Sequence, residues 1–512
     1  MEREYLIAYD IGTSGTKASL FSTDGRLVDT DTHEYPVYYG PGGVAEQDAD
    51  DYWRAIVATT RKLLSGDVDG RRVRAISFSG QMMACLPVDR EGRPVRRSII
   101  WADTRSKAEE DELKARLGAD YAYNLIGHRI SCSYSITKLM WMKKHERENY
   151  ARTYKMLQAK DYVLLKLTGR FVTDESDASS TNALDLRKRC WSPEVLEAAG
   201  VDADKMPELL RSIDVVGPIR EEAAAQLGLP RDVTIVTGGG DGPCATLGAG
   251  CLEKGRHYLT FGTSAWIGAT TGEPFLDQNH TLFCFAHVIP GCYMPTGTMQ
   301  AAGSSYAYIK RAFFADAVAE AEARGCDVYD LLNEKIAASP RGAKGLLYLP
   351  YLTGERSPRW NPIATASFLG MTMNHTREDY LRATIEGVAM NLAVILRAFR
   401  ERGPIEELIL TGGGAQGDVV TQILADVLGC TMTRTNHPKE ATSMAAAVIA
   451  GVGAGLYDGF DAIYRFIEHM ESVKPDAQAQ REYQQRIAVF DRCYDALKDV
   501  YGMIRMDKEG LA

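Results

Sequence analysis

The sequence predicts an α/β fold in two related halves. Segments that read as strands alternate with amphipathic helices along the whole chain, with no low-complexity linker between them. One strand–turn–strand phrase occurs at Gly12-Thr13-Ser14 and again at Gly262-Thr263-Ser264. Its place in matching hairpins suggests two halves built on related β-sheets that face a shared cleft. Glycines gather between Gly238 and Gly255 and mark the seam, so the chain divides into 1–245 and 246–512. At about 150 residues per domain, 512 residues leave room for two to four domains.

Each element follows from local pattern. Tyr5 to Tyr9 is apolar and rich in strand formers, Asp10 to Gly15 is a tight turn, and Lys17 to Phe21 resumes an extended pattern. Thr23-Asp24-Gly25-Arg26 turns the chain again into Leu27-Val28, which makes a meander. Val73 to Phe78 reads as a strand and Lys138 to His145 as a helix. Val233 to Val236 is a strand that runs into Thr237-Gly238-Gly239-Gly240-Asp241-Gly242. The second hairpin joins His257 to Phe261 with Ala265 to Ala269, and Leu346 to Pro350 is a further strand. A long helix is expected from Arg377 to about Arg402, because Leu381, Ile385, Val388, Leu392, Ile395 and Phe399 fall on one face. Glu407 to Thr411 is a strand that enters a glycine turn and the helix Val419 to Leu428, with Thr431 to Asn436 as the next strand. Tyr483, Ile487, Phe490, Tyr494 and Leu497 keep three- and four-residue spacing, so a last helix packs back on the body.

Composition narrows the function classes. The chain carries 59 basic and 68 acidic residues, a formal net charge of −9, which leaves no electrostatic footprint for nucleic acid or an acidic membrane. With 45% hydrophobic and 25% charged residues, it has the composition of a soluble globular protein. No run approaches the roughly 18 apolar residues of a spanning helix. The opening MEREYLIAYD carries acidic charge where a signal peptide needs an apolar stretch. The ten cysteines include no C-x-x-C pair, so they read as buried reduced thiols, and the cytoplasm is the expected compartment. The nine histidines form no ligand-spaced cluster, and neither a nucleophile elbow nor H-E-x-x-H occurs.

Three glycine-rich turns could carry chemistry. In the first, Asp10 stands at the end of a strand before Gly-Thr-Ser-Gly-Thr-Lys, which puts a carboxylate beside hydroxyl and amide donors. Such a turn can cradle phosphate oxygens while Asp10 holds Mg²⁺, or it can be an ordinary hairpin with a capping aspartate. It is not a Walker A loop. In the second, three glycines allow close backbone approach and deliver Asp241 at a strand end, where it can serve as general base for a substrate hydroxyl or simply bond its own turn. The third, Gly412-Gly413-Gly414-Ala415-Gln416-Gly417, formally matches G-x-G-x-x-G between a strand and a helix. A dinucleotide fold would need an acid about 20 residues on, and Thr431 to Asn436 offers none. A glycine turn that receives adenosine or its phosphates against a helix N-terminus stays open.

Together these pieces resemble the FGGY carbohydrate kinases, from about residue 5 to about residue 456. The family's first phosphate loop is matched by Asp10 to Lys17, one signature by Ser133-Tyr134-Ser135-Ile136-Thr137-Lys138-Leu139-Met140-Trp141, and the other by Ala366, Phe368, Gly370, Asp379 and Glu386. Within the family the likeness is greatest to xylulokinases, through Ser79-Gly80-Gln81-Met82-Met83, Trp101-Ala102-Asp103-Thr104-Arg105 and the run from Leu349 to Pro358. Two positions depart from theirs: Met83 replaces a histidine and Gly242 an asparagine. The Arg-Glu pair of glycerol kinases is absent at Gln81-Met82.

The resemblance implies two actin-like, ribonuclease H-like domains that face a central cleft, with the sugar on the first and ATP on the second. It implies ATP-dependent phosphorylation of a sugar hydroxyl, D-xylulose to xylulose 5-phosphate first, with gluconate and other pentuloses or hexuloses as alternatives. It places Thr13, Ser14 and Lys17 at the terminal phosphates, Asp10 with Mg²⁺, Gly262, Thr263 and Gly303 on the phosphates from the other side, and Gly414 and Asp418 near adenosine. Asp241 is the implied base, and Gln81, Met82, Met83, Trp101 and Asp103 form the implied sugar site. A homodimer is the assembly it suggests, without nucleic acid or membrane. The remoter alternative is an actin- or chaperone-type ATPase, for which the stretches 79–83 and 101–105 would lack a purpose.

Overall fold

The first hairpin sets the plan of the molecule. In the computed structural model, which describes residues 4–66, 68–415, 417–437 and 439–510, β1 (Tyr5–Ile11) pairs antiparallel with β2 (Gly15–Ser22). Asp10 lies within β1, opposite Lys17, rather than in the turn. The turn therefore shrinks to 12–14 and is closed by the Gly12 N–H donating to the Gly15 carbonyl at 2.9 Å. Strand alternation sends Ile7, Tyr9 and Ile11 to one face and Leu6 and Ala8 to the other, and both faces are buried.

The first face packs on α1 (Ala49–Leu63). The sheet continues with β3 (Leu27–Glu34), β4 (Val73–Gly80), β5 (Val215–Gly217) and β6 (Thr234–Val236), in the order β5-β6-β4-β1-β2-β3. A short strand, Gly239–Gly240, also pairs parallel with β4. Between β4 and β5 lies α2 (Ser135–His145), which starts one turn earlier than its apolar spacing suggested.

The chain then passes through α3 (Asp241–Gly248) into a second sheet. It holds β7 (His257–Phe261), β8 (Ala265–Ala269), β9 (Phe283–Ala286), β10 (Tyr293–Met299), β11 (Glu407–Thr411), β12 (Thr431–Thr435) and β13 (His469–Val473). The order is β9-β10-β8-β7-β11-β12-β13. The two sheets repeat one pairing scheme. Each hairpin is antiparallel, its first strand pairs parallel with a later strand (β1 with β4, β7 with β11), and its second pairs antiparallel with a third (β2 with β3, β8 with β10). The Gly-Thr-Ser echo marks the same turn of this repeated unit.

Helices of the second half follow their sequence signals. After α4 (Gly303–Phe313) comes α5 (Arg377–Arg400), whose predicted apolar face is buried throughout. A reciprocal Thr376–Asp379 capping box starts α5, and Gly403-Pro404 follows its end. Then come α6 (Asp418–Leu428), α7 (Ala441–Gly453) and α8 (Ala477–Gly510), with Tyr483 and Phe490 of α8 in the second core. Among the described residues no helix is long and apolar enough to cross a membrane.

Two helices join the halves. Although it comes late in the chain, α7 covers the second face of the first sheet, with Met444, Ala445 and Val448 packed among Leu6, Ala8 and Ala75. It lies so close to α3 that a Cβ on Gly248 would fall 1.8 Å from the Ala441 carbonyl oxygen. Overpacking of a core costs about 1–3 kcal/mol, and more where backbone stands in the way. Gly248→Val is therefore expected to destabilise the protein by about 3 kcal/mol or more, read as a lower denaturation midpoint in urea. An unchanged midpoint would show that the two helices separate freely.

Candidate active site

The glycine run that ends at Asp241 is shaped by what lies behind it. Gly238 has φ +80°, and a Cβ there would sit 2.2 Å from the Phe78 carbonyl oxygen, so only glycine lets the chain lie this close to β4. The Gly240 N–H donates to Ser176 Oγ at 3.0 Å, and Ser176 in turn donates to the buried carboxylate of Asp174 at 2.6 Å. These contacts fix the residue before Asp241, which opens α3. Its Oδ1 accepts from the Gly242 N–H at 2.7 Å.

Asp10 is the penultimate residue of β1, the strand beside β4. Its Oδ2 accepts from Thr442 Oγ1 at 2.8 Å, so α7, carried over from the second half, orients it. Asp10 and Asp241 line one cavity of about 530 Å³. Desolvation at the base of the cleft, followed by the charge of Asp10, pushes the Asp241 pKa up to about 7. The carboxyl nonetheless opens into the cavity.

The cavity walls are mostly apolar: Met82, Met83, Trp101, Trp266, Phe283, Phe285 and Met294, with Thr263, Thr296, Thr298, Gln300 and Arg356 as polar groups. A second cavity of about 1120 Å³ adjoins it, lined by Gly262, Gly303, Gly413, Gly414, Lys439 and Tyr308 among others. Thr263 lines both, so the two spaces meet at the second hairpin. Close backbone packing makes that junction: a Cβ on Gly303 would fall 2.4 Å from the Gly262 oxygen, and one on Gly414 2.5 Å from Phe261 Cδ1. The N-terminus of α4 also stands there, a favourable place for an anion. Of the third glycine turn, Gln416 lies outside the described residues.

Of the residues that the sequence proposed, the structure brings Asp10, Asp241, Met82, Met83, Trp101, Gly262, Thr263, Gly303 and Gly414 to these cavities. Gln81, Asp103, Thr13, Ser14, Lys17 and Asp418 do not line them. Gln81 is 2% exposed, and its Nε2 donates to Gln47 Oε1 at 2.8 Å and to the Gly12 carbonyl at 3.2 Å, so it braces the first hairpin from beneath. Asp103 is fully buried and accepts from the Ala45 N–H and the Arg105 guanidinium. Thr13 Oγ1 donates to Gln81 and accepts from Trp101 Nε1 at 2.9 Å, while Ser14 is exposed at the turn. Lys17 Nζ pairs with Glu440 at 2.8 Å and donates to the Lys439 carbonyl at 2.7 Å. The Asp418 side chain is 92% exposed and pairs with Arg434.

Three residues that the sequence did not single out complete the site. Thr442 orients Asp10. Buried Glu355 accepts from the backbone N–H groups of Gln300 and Arg356 and from Asn391 of α5, and burial pushes its pKa up to about 8. Arg356 turns its guanidinium into the cavity, 5.6 Å from the Trp101 ring centroid, with no carboxylate partner among the described residues. Both Glu355 and Arg356 stood in the Leu349 to Pro358 run, but nothing local marks which of its residues faces a cavity.

Comparison with known proteins bears on the whole chain. The N-terminal domain model of the FGGY family of carbohydrate kinases matches residues 5–248, and its C-terminal domain model matches residues 257–454. The chain is 30% identical to the gluconokinase of Bacillus subtilis (strain 168), over 99% of each chain. It is also 30% identical to the xylulose kinase of the same strain, over 97% of this chain and 98% of that one. The structure of a ligand-bound xylulose kinase from Lactobacillus acidophilus superimposes with a TM-score of 0.91 at 27% identity, covering 98% of this chain and 100% of that one.

Proposed function

The chain belongs to the FGGY family of carbohydrate kinases, and on that premise we propose that it transfers the terminal phosphoryl group of ATP to a hydroxyl of a small polyhydroxylated acceptor. The observation that carries this reading is the pair of acids, Asp10 and Asp241, in one cavity that meets a larger one at Thr263. The smaller cavity takes the acceptor and the larger one the nucleotide. The corresponding domains are 1–245 on the sugar side and 246–512 on the nucleotide side, and the compartment is the cytoplasm.

Asp241 takes the proton of the attacking hydroxyl; a base with a pKa near the working pH is well matched to that task. Thr263 and the start of α4 face the phosphates, and Gly414 leaves room for the nucleoside end. Phosphoryl transfer needs little covalent work from the protein, so positioning and charge neutralisation supply most of the acceleration. Among the described residues no group of three or more His, Cys, Asp or Glu could hold a metal. The Asp10 carboxylate nevertheless fits Mg²⁺, which keeps several waters and is held by one or two carboxylates together with substrate phosphates. Asp10 would hold the ion, which supplies neutralisation of phosphate charge when bound.

For the acceptor, D-xylulose is the first candidate, on the likeness of the stretches 79–83, 101–105 and 349–358 to xylulokinases. Gluconate is the second, and Arg356 favours it: an unpaired guanidinium in a largely apolar cavity suits a carboxylate. A screen of ADP release across ketopentoses, ketohexoses, polyols and aldonates decides between them. If an aldonate is the acceptor, Arg356→Met is expected to raise its KM about 10- to 100-fold, the worth of one charged hydrogen bond. A ketopentose KM would move far less. ADP release that no sugar stimulates would return the chain to the ATPase alternative.

A further inference from the structure

Lys138 of α2 is fully buried, yet its ammonium has no carboxylate in hydrogen-bond reach among the described residues. Its three donors go instead to backbone carbonyls: Met83 at 2.8 Å, Ile100 at 2.8 Å and Ser133 at 2.6 Å. Each carbonyl belongs to a different stretch of the acceptor cavity's wall. Met83 lines the cavity itself, Ile100 precedes Trp101, and Ser133 precedes Tyr134, which packs with Met82, Met83, Phe283, Phe285 and Met294.

Met83 has φ +70°, a left-handed conformation that costs a non-glycine residue about 1–2 kcal/mol and must be held from outside. Two bonds hold it: Lys138 at its carbonyl, and Ser180 Oγ, which accepts from its N–H at 3.1 Å. Burying an ammonium without a counter-ion is expensive, and an apolar side chain would fill the space at lower cost. The arrangement makes sense when the three bonds themselves are what is needed.

We infer that Lys138 is a positioning residue of the acceptor cavity. It ties Met83, Trp101 and Tyr134 together at the acceptor cavity and so sets acceptor affinity, with no part in nucleotide binding. This rests on the sugar-kinase reading, in which that cavity takes the acceptor.

The clasp also responds to pH. Burial pushes the Lys138 pKa down to about 7; Cys85, Asp103 and Cys132 oppose that shift, and Arg105 adds to it. Below that value all three carbonyls keep a donor. Above it the amine has one N–H fewer than its carbonyls require, so the wall slackens and the acceptor KM rises. This alkaline rise is distinct from any effect of Asp241, which acts on the acid side.

Steady-state kinetics of the wild-type protein and Lys138→Met, from about pH 6 to about pH 9, test the inference. The expected result is an acceptor KM raised about tenfold or more in the variant, an unchanged ATP KM, and loss of the alkaline rise seen in the wild type. Ser180→Ala, which removes the other anchor of Met83 together with the Ser180 bonds to Gln158 and the Asp177 carbonyl, is expected to raise the acceptor KM by less. A folded Lys138→Met protein with a wild-type acceptor KM, or with both KM values raised alike, would overturn the inference. Should Lys138→Met not fold, an acceptor KM left unchanged by Ser180→Ala would overturn it. Failure of the underlying reading is seen separately, as absence of acceptor-stimulated ADP release in the wild type.

Discussion

Asp241→Asn is expected to lower kcat by about 10²–10⁴-fold, the usual worth of a general base, while nucleotide affinity barely moves. The substitution keeps the shape of the side chain and removes only the proton acceptor at the base of the cavity. The wild-type carboxyl has its pKa pushed up to about 7 from an ordinary 3.8, so it is protonated on the acid side and free on the alkaline side. The rate should therefore climb with pH through neutrality to a plateau above it, and Asp241→Asn should lack that acid limb. The same shift bears on stability. A carboxyl whose pKa is raised by folding favours the fold when protonated and weighs against it as pH rises from 3.8 through about 7. Asparagine at this position should thus raise Tm relative to the wild type more at pH values above neutrality than in mild acid.

Asp10→Asn is expected to produce the second large loss, about 10²-fold or more in kcat, with a higher Mg²⁺ concentration needed for half-maximal rate. Asparagine can still accept from Thr442, so α7 and β1 keep their contact while the charge is lost. In the metal-free protein a second readout follows. The charge of Asp10 is one cause of the raised Asp241 pKa, so its removal should lower that pKa, measurable by NMR titration of the carboxyl. An unchanged Asp241 titration would mean that the two acids do not sense each other.

The parts of the fold visible in the sequence are those set by neighbours along the chain. Both hairpins follow from strand alternation around Gly-Thr-Ser, and α5 from the spacing of Leu381 to Phe399. Asp241 was legible as an acid delivered by glycines at a strand end. The rest depends on elements far apart in sequence. Lys17 stands in the phosphate hairpin by position, but β2 directs its ammonium to Glu440 and the Lys439 carbonyl. Gln81 donates to Gln47 and the Gly12 carbonyl, and Asp103 accepts from Arg105 and the Ala45 N–H, contacts made mostly with other stretches of the chain. Thr442 reaches Asp10 because α7 crosses back to the first sheet, and Arg356 faces the cavity because Glu355 is anchored to α5. No local pattern carries that information. The family signature around Lys138 was likewise visible as a run of residues, whereas its three carbonyl partners come from three loops.

The most direct measurement is a crystal structure with Mg²⁺, a non-hydrolysable ATP analogue and the acceptor found by the ADP-release screen. The terminal phosphate should lie at the Thr263 junction, with the acceptor hydroxyl about 3 Å from the Asp241 carboxylate and in line with the phosphorus. An acceptor bound away from Asp241, or a nucleotide whose phosphates lie outside that junction, would contradict a transfer between the two cavities.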